Sequence, residues 1–132
     1  MKLITRNTDY ALRALCFIAK SDGKIIPVSG LARELRVPQP FLRKILQVLS
    51  KKRILKSLKG QGGGFLLKRS PVKIFLPDIM RIFQGKLRLN ECSLKKLLCP
   101  EQKTCPLRKK ISGIERYVLR ELNAISIASL IG

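Results

Sequence analysis

Residues 36–51 read RVPQPFLRKILQVLSK and carry the clearest structural signal in the chain. Their apolar positions recur with the spacing of one helical face, at Leu42, Ile45, Leu46 and Leu49. Pro38 interrupts the chain before this pattern, and Pro40 suits the first turn of a new helix because its missing N–H is not needed there. The segment therefore predicts a helix that follows a tight turn and buries one side.

The other side of this predicted helix is polar and cationic. It carries Gln39, Arg43, Lys44, Gln47 and Lys51. A helix of this width fits the major groove of B-DNA, where Arg or Gln can read base edges and Lys can neutralise phosphates. We expect these five side chains to bind DNA. Charged residues also line the solvent side of ordinary helices, so the pattern needs support from its neighbours.

Two helices precede this segment. Leu12, Leu15, Cys16 and Ala19 form one apolar stripe, which predicts a helix over residues 9–20 with Cys16 in the core. Ser29 is a candidate N-cap for a short second helix over residues 30–35. The second and third helices, joined by a tight turn, make a helix-turn-helix.

A β-hairpin is predicted next. The apolar and basic runs Ile54–Lys59 and Phe65–Arg69 flank the glycine-rich sequence GQGGG of residues 60–64. A hairpin after a helix-turn-helix is the wing of a winged helix, and we expect Lys59 and Gln61 at its tip to contact DNA. The glycines do not indicate a nucleotide-binding loop, because Phe65 stands where Lys and Ser or Thr are needed.

The remaining chain predicts a short helix, a loop and a long helix. The short helix begins at Pro77 and ends near Gly85, the loop covers residues 86–110, and the amphipathic terminal helix runs from Ile111 to Ile125. Ser126 is expected to cap a last short turn. We expect a mostly α-helical winged helix-turn-helix in one compact unit, with a DNA-binding part (1–85), a cysteine-containing loop (86–110) and a dimerisation helix (111–132).

The charge is strongly one-sided. Twenty-eight Lys and Arg face eight Asp and Glu, giving a net charge of +20, and residues 36–73 contain eleven of the cations and no carboxylate. This balance favours a polyanionic partner. The chain has no His, which removes imidazole bases, Ser-His triads and His metal ligands, so we do not expect an enzyme.

We expect a cytoplasmic protein. The longest run without a charge, residues 122–132, is too short to cross a membrane, and the N-terminal residues lack the pattern of a secretory signal. Thiols stay reduced in the cytoplasm, so the cysteines are not expected to form disulfides.

Three of the four cysteines cluster in the predicted loop, at Cys92, Cys99 and Cys105. Three thiolates suit an iron-sulphur cluster or a zinc ion, each of which normally takes four ligands. With no His available, the fourth ligand is open between a carboxylate, a backbone atom, a small thiol and a residue of a second subunit. Free thiols without a metal are the alternative interpretation.

The chain resembles the Rrf2 family of bacterial winged-helix transcription regulators from end to end. The resemblance rests on residues 1–15, on VPQPFLRKIL at 37–46 and on KGQGGGFLL at 59–67. It implies a dimer built on the C-terminal helix and, as in several members, an iron-sulphur cluster of [2Fe–2S] or [4Fe–4S] type held by Cys92, Cys99 and Cys105. In one branch a His after the third cysteine completes the site, but residues 106–108 here are PLR.

In the nitric-oxide-sensing branch, the fourth ligand is an Asp in the first helix of the partner subunit, and Asp9 matches that position. The resemblance thus predicts a homodimer that binds a pseudo-palindromic operator and senses iron, redox state or nitric oxide. A constitutive DNA-binding protein with a structural zinc or no metal is the first alternative. A thiol redox enzyme is the second, although the chain lacks a Cys-x-x-Cys pair.

Overall fold

Helices make up most of the structure, and a two-stranded hairpin separates the third helix from the fourth. The computed structural model describes residues 2–89 and 105–132. In these ranges the helices are α1 (Arg6–Lys20), α2 (Val28–Leu35), α3 (Gln39–Lys51), α4 (Leu76–Gln84), α5 (Pro106–Asn123) and α6 (Ile127–Leu130). The strands are β1 (Leu55–Leu58) and β2 (Gly64–Leu67), followed by a 3₁₀ turn at Pro71–Lys73. The predicted winged helix-turn-helix is confirmed.

Helix α1 begins three residues before the predicted start. Thr5 is its N-cap, and the Thr5 side-chain oxygen accepts a hydrogen bond from the Thr8 N–H at 3.5 Å. This polar first turn carries no apolar period, which is why the sequence pattern missed it. The predicted apolar stripe faces inward: Leu15 is fully buried, and Cys16 packs against the main core.

Helix α2 has a different N-cap from the one predicted. Ser29 lies inside the helix, and Pro27 is the N-cap. The backbone before it is extended because Ile26 pairs with Phe65 of β2, with N–O distances of 2.9 Å in both directions. The helix therefore begins as soon as that pairing ends.

The turn between α2 and α3 is fixed by one residue in the left-handed region. Arg36, with φ of +56°, ends α2, and the N–H of the next residue, Val37, donates to the Ala32 carbonyl at 3.1 Å. Val37 is buried, so this turn is part of the core. Pro40 lies in the first turn of α3, as predicted.

The hairpin is antiparallel, with Leu55 opposite Leu67 and Leu58 opposite Gly64. Its strands lie where the sequence placed them, although each is shorter than the predicted run. Phe65 is buried on the inner side of the hairpin, which attaches the wing to α1 and α2.

The C-terminal end returns to the body of the protein. After α5, the Ile127 N–H donates to the Ile74 carbonyl at 2.9 Å, and the Ile127 side chain is fully buried in the main core. Ser126 forms a capping box with Ser129 at the start of α6, which confirms the predicted cap.

Two apolar clusters hold these elements together. The larger one joins α1, α2, α3 and the hairpin. The smaller one, formed by Leu76, Met80 and Leu122, joins α4 to α5. Within 2–89 and 105–132, no helix is long and apolar enough to span a membrane.

Helix α5 begins at Pro106, inside the segment predicted to be a loop, and ends at Asn123. Its first turn contains Leu107, Arg108, Lys109 and Lys110, all of them exposed, so no apolar period marks it in the sequence. The helix starts there because Pro106 suits the first position and the Lys109 N–H donates to the Cys105 carbonyl at 3.2 Å.

Candidate nucleic-acid interface

Helix α3 is oriented by its apolar face. Leu42, Leu46 and Leu49 are fully buried and Ile45 nearly so. Because side chains three and four residues apart share a face of a helix, this burial turns the cationic face outward. On that face Arg43, Lys44, Gln47 and Lys51 are exposed, and Gln39 in the first turn is half-buried. Of the five side chains that the sequence singled out on this helix, four are thus exposed on one face and Gln39 is half-buried.

The cationic surface continues past the end of α3. Lys52 and Arg53 are exposed, and the chain turns there because Arg53 adopts φ of +62° and the Ile54 N–H donates to the Leu49 carbonyl at 3.0 Å. No residue between positions 36 and 73 forms an ion pair with another described residue. The cations of this unit are therefore not neutralised by neighbouring carboxylates of the described chain, and they are available to phosphates.

The wing places two predicted contact residues at its tip. Lys59 and Gln61 are both exposed in the connection between β1 and β2. The connection is tight: the Gly63 N–H donates to the Gly60 carbonyl at 3.0 Å. Gly60 and Gly62 have φ of +92° and +78°, a conformation that glycine adopts at little cost.

Gly63 and Gly64, at the end of the wing connection and the start of β2, stand where the backbone packs closely against neighbouring carbonyl oxygens. A Cβ on Gly64 would lie 2.3 Å from the Ile26 carbonyl oxygen, and a Cβ on Gly63 would lie 2.2 Å from the Leu58 carbonyl oxygen. Neither backbone oxygen can move without breaking the sheet around it. Gly64 thus allows the wing to lie against the Ile26 segment, and Gly63 allows the tight connection within the wing.

Sequence reasoning missed an aromatic contact beside the interface. Phe41, in the first turn of α3, is 37% exposed, and its ring meets that of Tyr10 edge to face with centroids 5.6 Å apart. This contact connects α1 to the start of α3. Phe41 lies outside the apolar stripe of α3, so helical spacing gave no signal for it.

The sequence patterns also gave no signal for a set of hydrogen bonds between the Gln84 side chain of α4 and the N-terminal residues, which we call the clamp. The Gln84 side-chain oxygen accepts hydrogen bonds from the Thr5 N–H at 3.0 Å and the Thr8 hydroxyl at 2.7 Å, and its amide nitrogen donates to the Leu3 carbonyl at 2.8 Å. Thr8 is fully buried. The clamp holds the N-terminal segment against the end of α4, and no local pattern in the sequence indicates it.

The predicted metal ligands are only partly within the described chain. Cys92 and Cys99 lie outside the described residues. Cys105 is the N-cap residue of α5 and is half-buried. The Asp9 carboxylate pairs with the Arg13 guanidinium at 3.0 Å within α1, and both side chains are exposed, so this pair contributes little stability. In the part of the chain that the structure describes, no three Cys, His, Asp or Glu residues come together as a metal site.

The fourth cysteine behaves as a core residue. Burial raises the pKa of the Cys16 thiol, and the nearby Lys20 ammonium opposes this shift. A raised pKa keeps the thiol protonated and unreactive at neutral pH. This agrees with the position of Cys16 on the apolar stripe of α1.

Comparison with known proteins agrees with this geometry. A relative from Aquifex aeolicus (strain VF5), named as an HTH-type transcriptional regulator, is 36% identical over 92 residues, which span 70% of this chain and 64% of the relative. The HTH-type transcriptional regulator NsrR of Bacillus subtilis (strain 168) is 27% identical over 132 residues, spanning 92% of this chain and 90% of that protein.

Among solved structures, CymR, the global cysteine regulator of B. subtilis, superposes with a TM-score of 0.83 at 21% identity, over 99% of this chain and 97% of that one. At that identity the likeness establishes the fold. Residues 4–132 match the family described as Rrf2, iron-dependent transcriptional regulator. The chain belongs to the Rrf2 family, and it is a DNA-binding transcriptional regulator and not an enzyme.

Proposed function

We propose that this regulator binds its operator as a homodimer and reads DNA through the exposed face of α3 and the tip of the wing. The observation that carries the proposal is the orientation of α3, with a buried leucine face and an exposed face of Arg43, Lys44, Gln47 and Lys51. Arg43, Lys44 and Gln47 are assigned to base edges in the major groove, with Gln39 at the start of the helix. Lys51 is assigned to a phosphate, and Lys59 and Gln61 to the neighbouring groove or backbone.

The dimer is supported by α5. Leu107, Ile114 and Tyr117 are large apolar residues on this helix, and they are 65%, 50% and 58% exposed. Several large apolar side chains exposed on one helix favour a protein interface. A two-fold pairing through α5 would present two α3 helices to two half-sites of one operator.

The sensing step is proposed to use an iron-sulphur cluster. Cys92, Cys99 and Cys105 would be its thiolate ligands, and Asp9 of the partner subunit is the proposed fourth ligand. The donor chemistry fits, because iron-sulphur clusters are held by thiolates and tolerate a replaced fourth ligand. The family's description as iron-dependent supports the choice of metal. Such a cluster supplies a centre that responds to iron supply, oxidants or nitric oxide.

The roles of the α3 residues are tested by a matched pair of variants. Arg43→Ala removes a proposed base contact, so operator binding should weaken by about 1–3 kcal/mol and preference at one base pair should relax. Lys52→Ala removes an exposed cation at the end of α3, so binding to all sequences should weaken alike and the salt dependence should flatten. Affinities for operator and random DNA at several salt concentrations separate the two. Equal effects from both changes would contradict base reading by α3.

The dimer is tested by light scattering on Ile114→Ser. We expect a shift from dimer to monomer, because a hydroxyl replaces an exposed apolar side chain in the proposed interface. Val72→Ser is the control, since Val72 is 58% exposed on the body of the protein, away from α5. If Ile114→Ser stays dimeric, the exposed apolar face of α5 is not the dimer interface.

The cluster is tested by anaerobic purification with visible absorption and with iron, sulphide and zinc counting. We expect a coloured protein that binds operator differently before and after cluster removal. Asp9→Ala should change the absorption spectrum, whereas Asp22→Ala, which removes an exposed carboxylate elsewhere, should not. A colourless, zinc-containing or metal-free protein with unchanged DNA affinity would instead indicate a constitutive DNA-binding protein.

A further inference from the structure

A cavity lies between α4 and α5, and no step of DNA reading or dimerisation uses it. Its volume is about 470 Å³, within the range of about 300–1,000 Å³ typical of small-molecule sites. Met80, Leu87 and Leu119 give it an apolar floor beside the small cluster that joins α4 to α5. We name it the α4/α5 cavity. Leu119 remains 37% exposed although it lines the cavity, so the space is not filled by the described chain.

The cavity and the proposed dimer surface lie on opposite faces of α5. Ser112, Leu119 and Leu122 line the cavity. At about 100° per residue, Ile114 lies about 200° and Tyr117 about 140° around the helix from Ser112. A second copy that covers Ile114 and Tyr117 therefore leaves the cavity open. An added helix, about 10–12 Å across with its side chains, is also too large for this space.

The rim of the cavity favours a negative charge. Arg81, Lys86 and Arg116 line it, against one carboxylate, Glu115. That carboxylate is already engaged, because its Oε1 accepts a hydrogen bond from the Leu89 N–H at 2.7 Å. Lys86 and Arg116 form no ion pair with any residue of 2–89 or 105–132. Arg81 reaches the Asp78 carboxylate only at 3.8 Å.

We propose that the α4/α5 cavity is an effector site for a small organic anion with an apolar body, such as a medium-chain carboxylic acid. The hydrocarbon part would cover Met80, Leu87 and Leu119, and the carboxylate would face Lys86 and Arg116. An occupant there contacts both α4 and α5, so it would alter how α5 sits on the body. The proposal concerns a second input to the regulator and does not depend on a cluster.

The test uses the full chain, without DNA, in isothermal titration calorimetry with octanoate and with 1-octanol. The two probes share an alkyl chain and differ in charge. We expect octanoate to bind about tenfold more tightly than 1-octanol or better, because charge-assisted hydrogen bonds are the stronger ones. In Arg116→Gln, the affinity for octanoate should fall while the affinity for 1-octanol stays unchanged, so the two affinities should lie closer together. Equal affinities in the unmodified protein, or no heat from either probe, would overturn the proposal.

Two further variants place the binding in the cavity. Leu119→Trp fills the space from a partly exposed position, so it should abolish octanoate binding while the melting temperature stays close to that of the parent. The chain contains no tryptophan, so a blue-shifted emission from this single indole reports that it is buried in the cavity. Val72→Ser, which changes an exposed apolar residue outside both the cavity and the proposed dimer face, is the matched control and should leave octanoate binding unchanged. Binding that survives Leu119→Trp, or that is lost in Val72→Ser, would place the site elsewhere and refute the proposal.

Discussion

Gly64, the first residue of β2, stands where the structure leaves no room for a Cβ atom, so its replacement by Ala tests the packing of the wing. In Gly64→Ala, the new Cβ would lie 2.3 Å from the Ile26 carbonyl oxygen and 2.6 Å from its carbon. That oxygen accepts the Phe65 N–H at 2.9 Å, and the Ile26 N–H donates back to the Phe65 carbonyl at 2.9 Å. The clash can be relieved only by moving Ile26 away from β2, which breaks both hydrogen bonds.

The expected cost follows from those two bonds. Each contributes about 0.5–1.5 kcal/mol, and repacking of the buried Phe65 adds about 1 kcal/mol or more, so the free energy of unfolding should fall by about 2–4 kcal/mol. With a urea m value of about 2 kcal/mol per molar, the midpoint should fall by about 1–2 M. Gly62→Ala is the matched control: a Cβ there meets nothing within 4 Å, and only the left-handed backbone, with φ of +78°, costs about 1–2 kcal/mol.

Urea unfolding followed by circular dichroism measures both variants, and operator affinity is measured well below the transition. We expect Gly64→Ala to unfold at a lower urea concentration than Gly62→Ala. The reasoning is refuted if Gly64→Ala unfolds with the parent midpoint but binds DNA more weakly. That outcome would mean that this glycine serves the approach of DNA and not the packing of the wing on Ile26.

Three further experiments test other parts of the fold. Gln84→Ala leaves the buried Thr8 hydroxyl without its 2.7 Å partner, so the free energy of unfolding should fall by about 1–3 kcal/mol in urea titrations; an unchanged midpoint would exclude the clamp. Cys16, whose pKa is raised by burial, should react with iodoacetamide more slowly than an exposed thiol at pH 8 and gain rate only as the pH rises further, as mass spectrometry can show. Rapid modification of the folded protein would contradict its burial. Phe41→Ala removes the edge-to-face contact with Tyr10, so the free energy of unfolding should fall by about 0.5–1.5 kcal/mol beyond the loss of buried area. A double-mutant cycle with Tyr10→Ala measures this contribution. Additive effects of the two changes would show that the rings do not interact.

Sequence periodicity predicted the elements whose apolar residues share one buried face. The spacing of Leu42, Ile45, Leu46 and Leu49 predicted both that α3 forms and how it is oriented, because these four residues must face the core. The orientation of the cationic face followed directly. The hairpin was also predictable from local sequence, because the glycine-rich residues 60–64 separate two short apolar runs.

The features that sequence did not reveal depend on contacts between distant residues. Gln84 meets Thr5 and Thr8 across 79 and 76 positions, and Ile26 pairs with Phe65 across the whole helix-turn-helix. No spacing rule reports such pairs. The early start of α5 was not predicted for a different reason: its first turn is exposed, with Leu107 65% exposed, so it has no buried face to produce an apolar period.

The way α5 is attached suggests a route by which the proposed sensing step at its start would reach the DNA-binding face. The apolar and backbone anchors of this helix lie toward its C-terminal end: Leu122 packs with Met80, the Leu76 N–H donates to the Ile125 carbonyl at 2.9 Å, and Ile127 enters the main core. Near the middle of the helix, the Glu115 carboxylate accepts the Leu89 N–H at 2.7 Å. The other end begins at Cys105. Eighteen residues at about 1.5 Å each separate the two ends by about 27 Å. We expect a change at Cys105 to tilt the N-terminal part of α5, which carries the exposed Leu107 and Ile114. In the proposed dimer, that tilt would change the separation of the two α3 helices and with it the operator affinity.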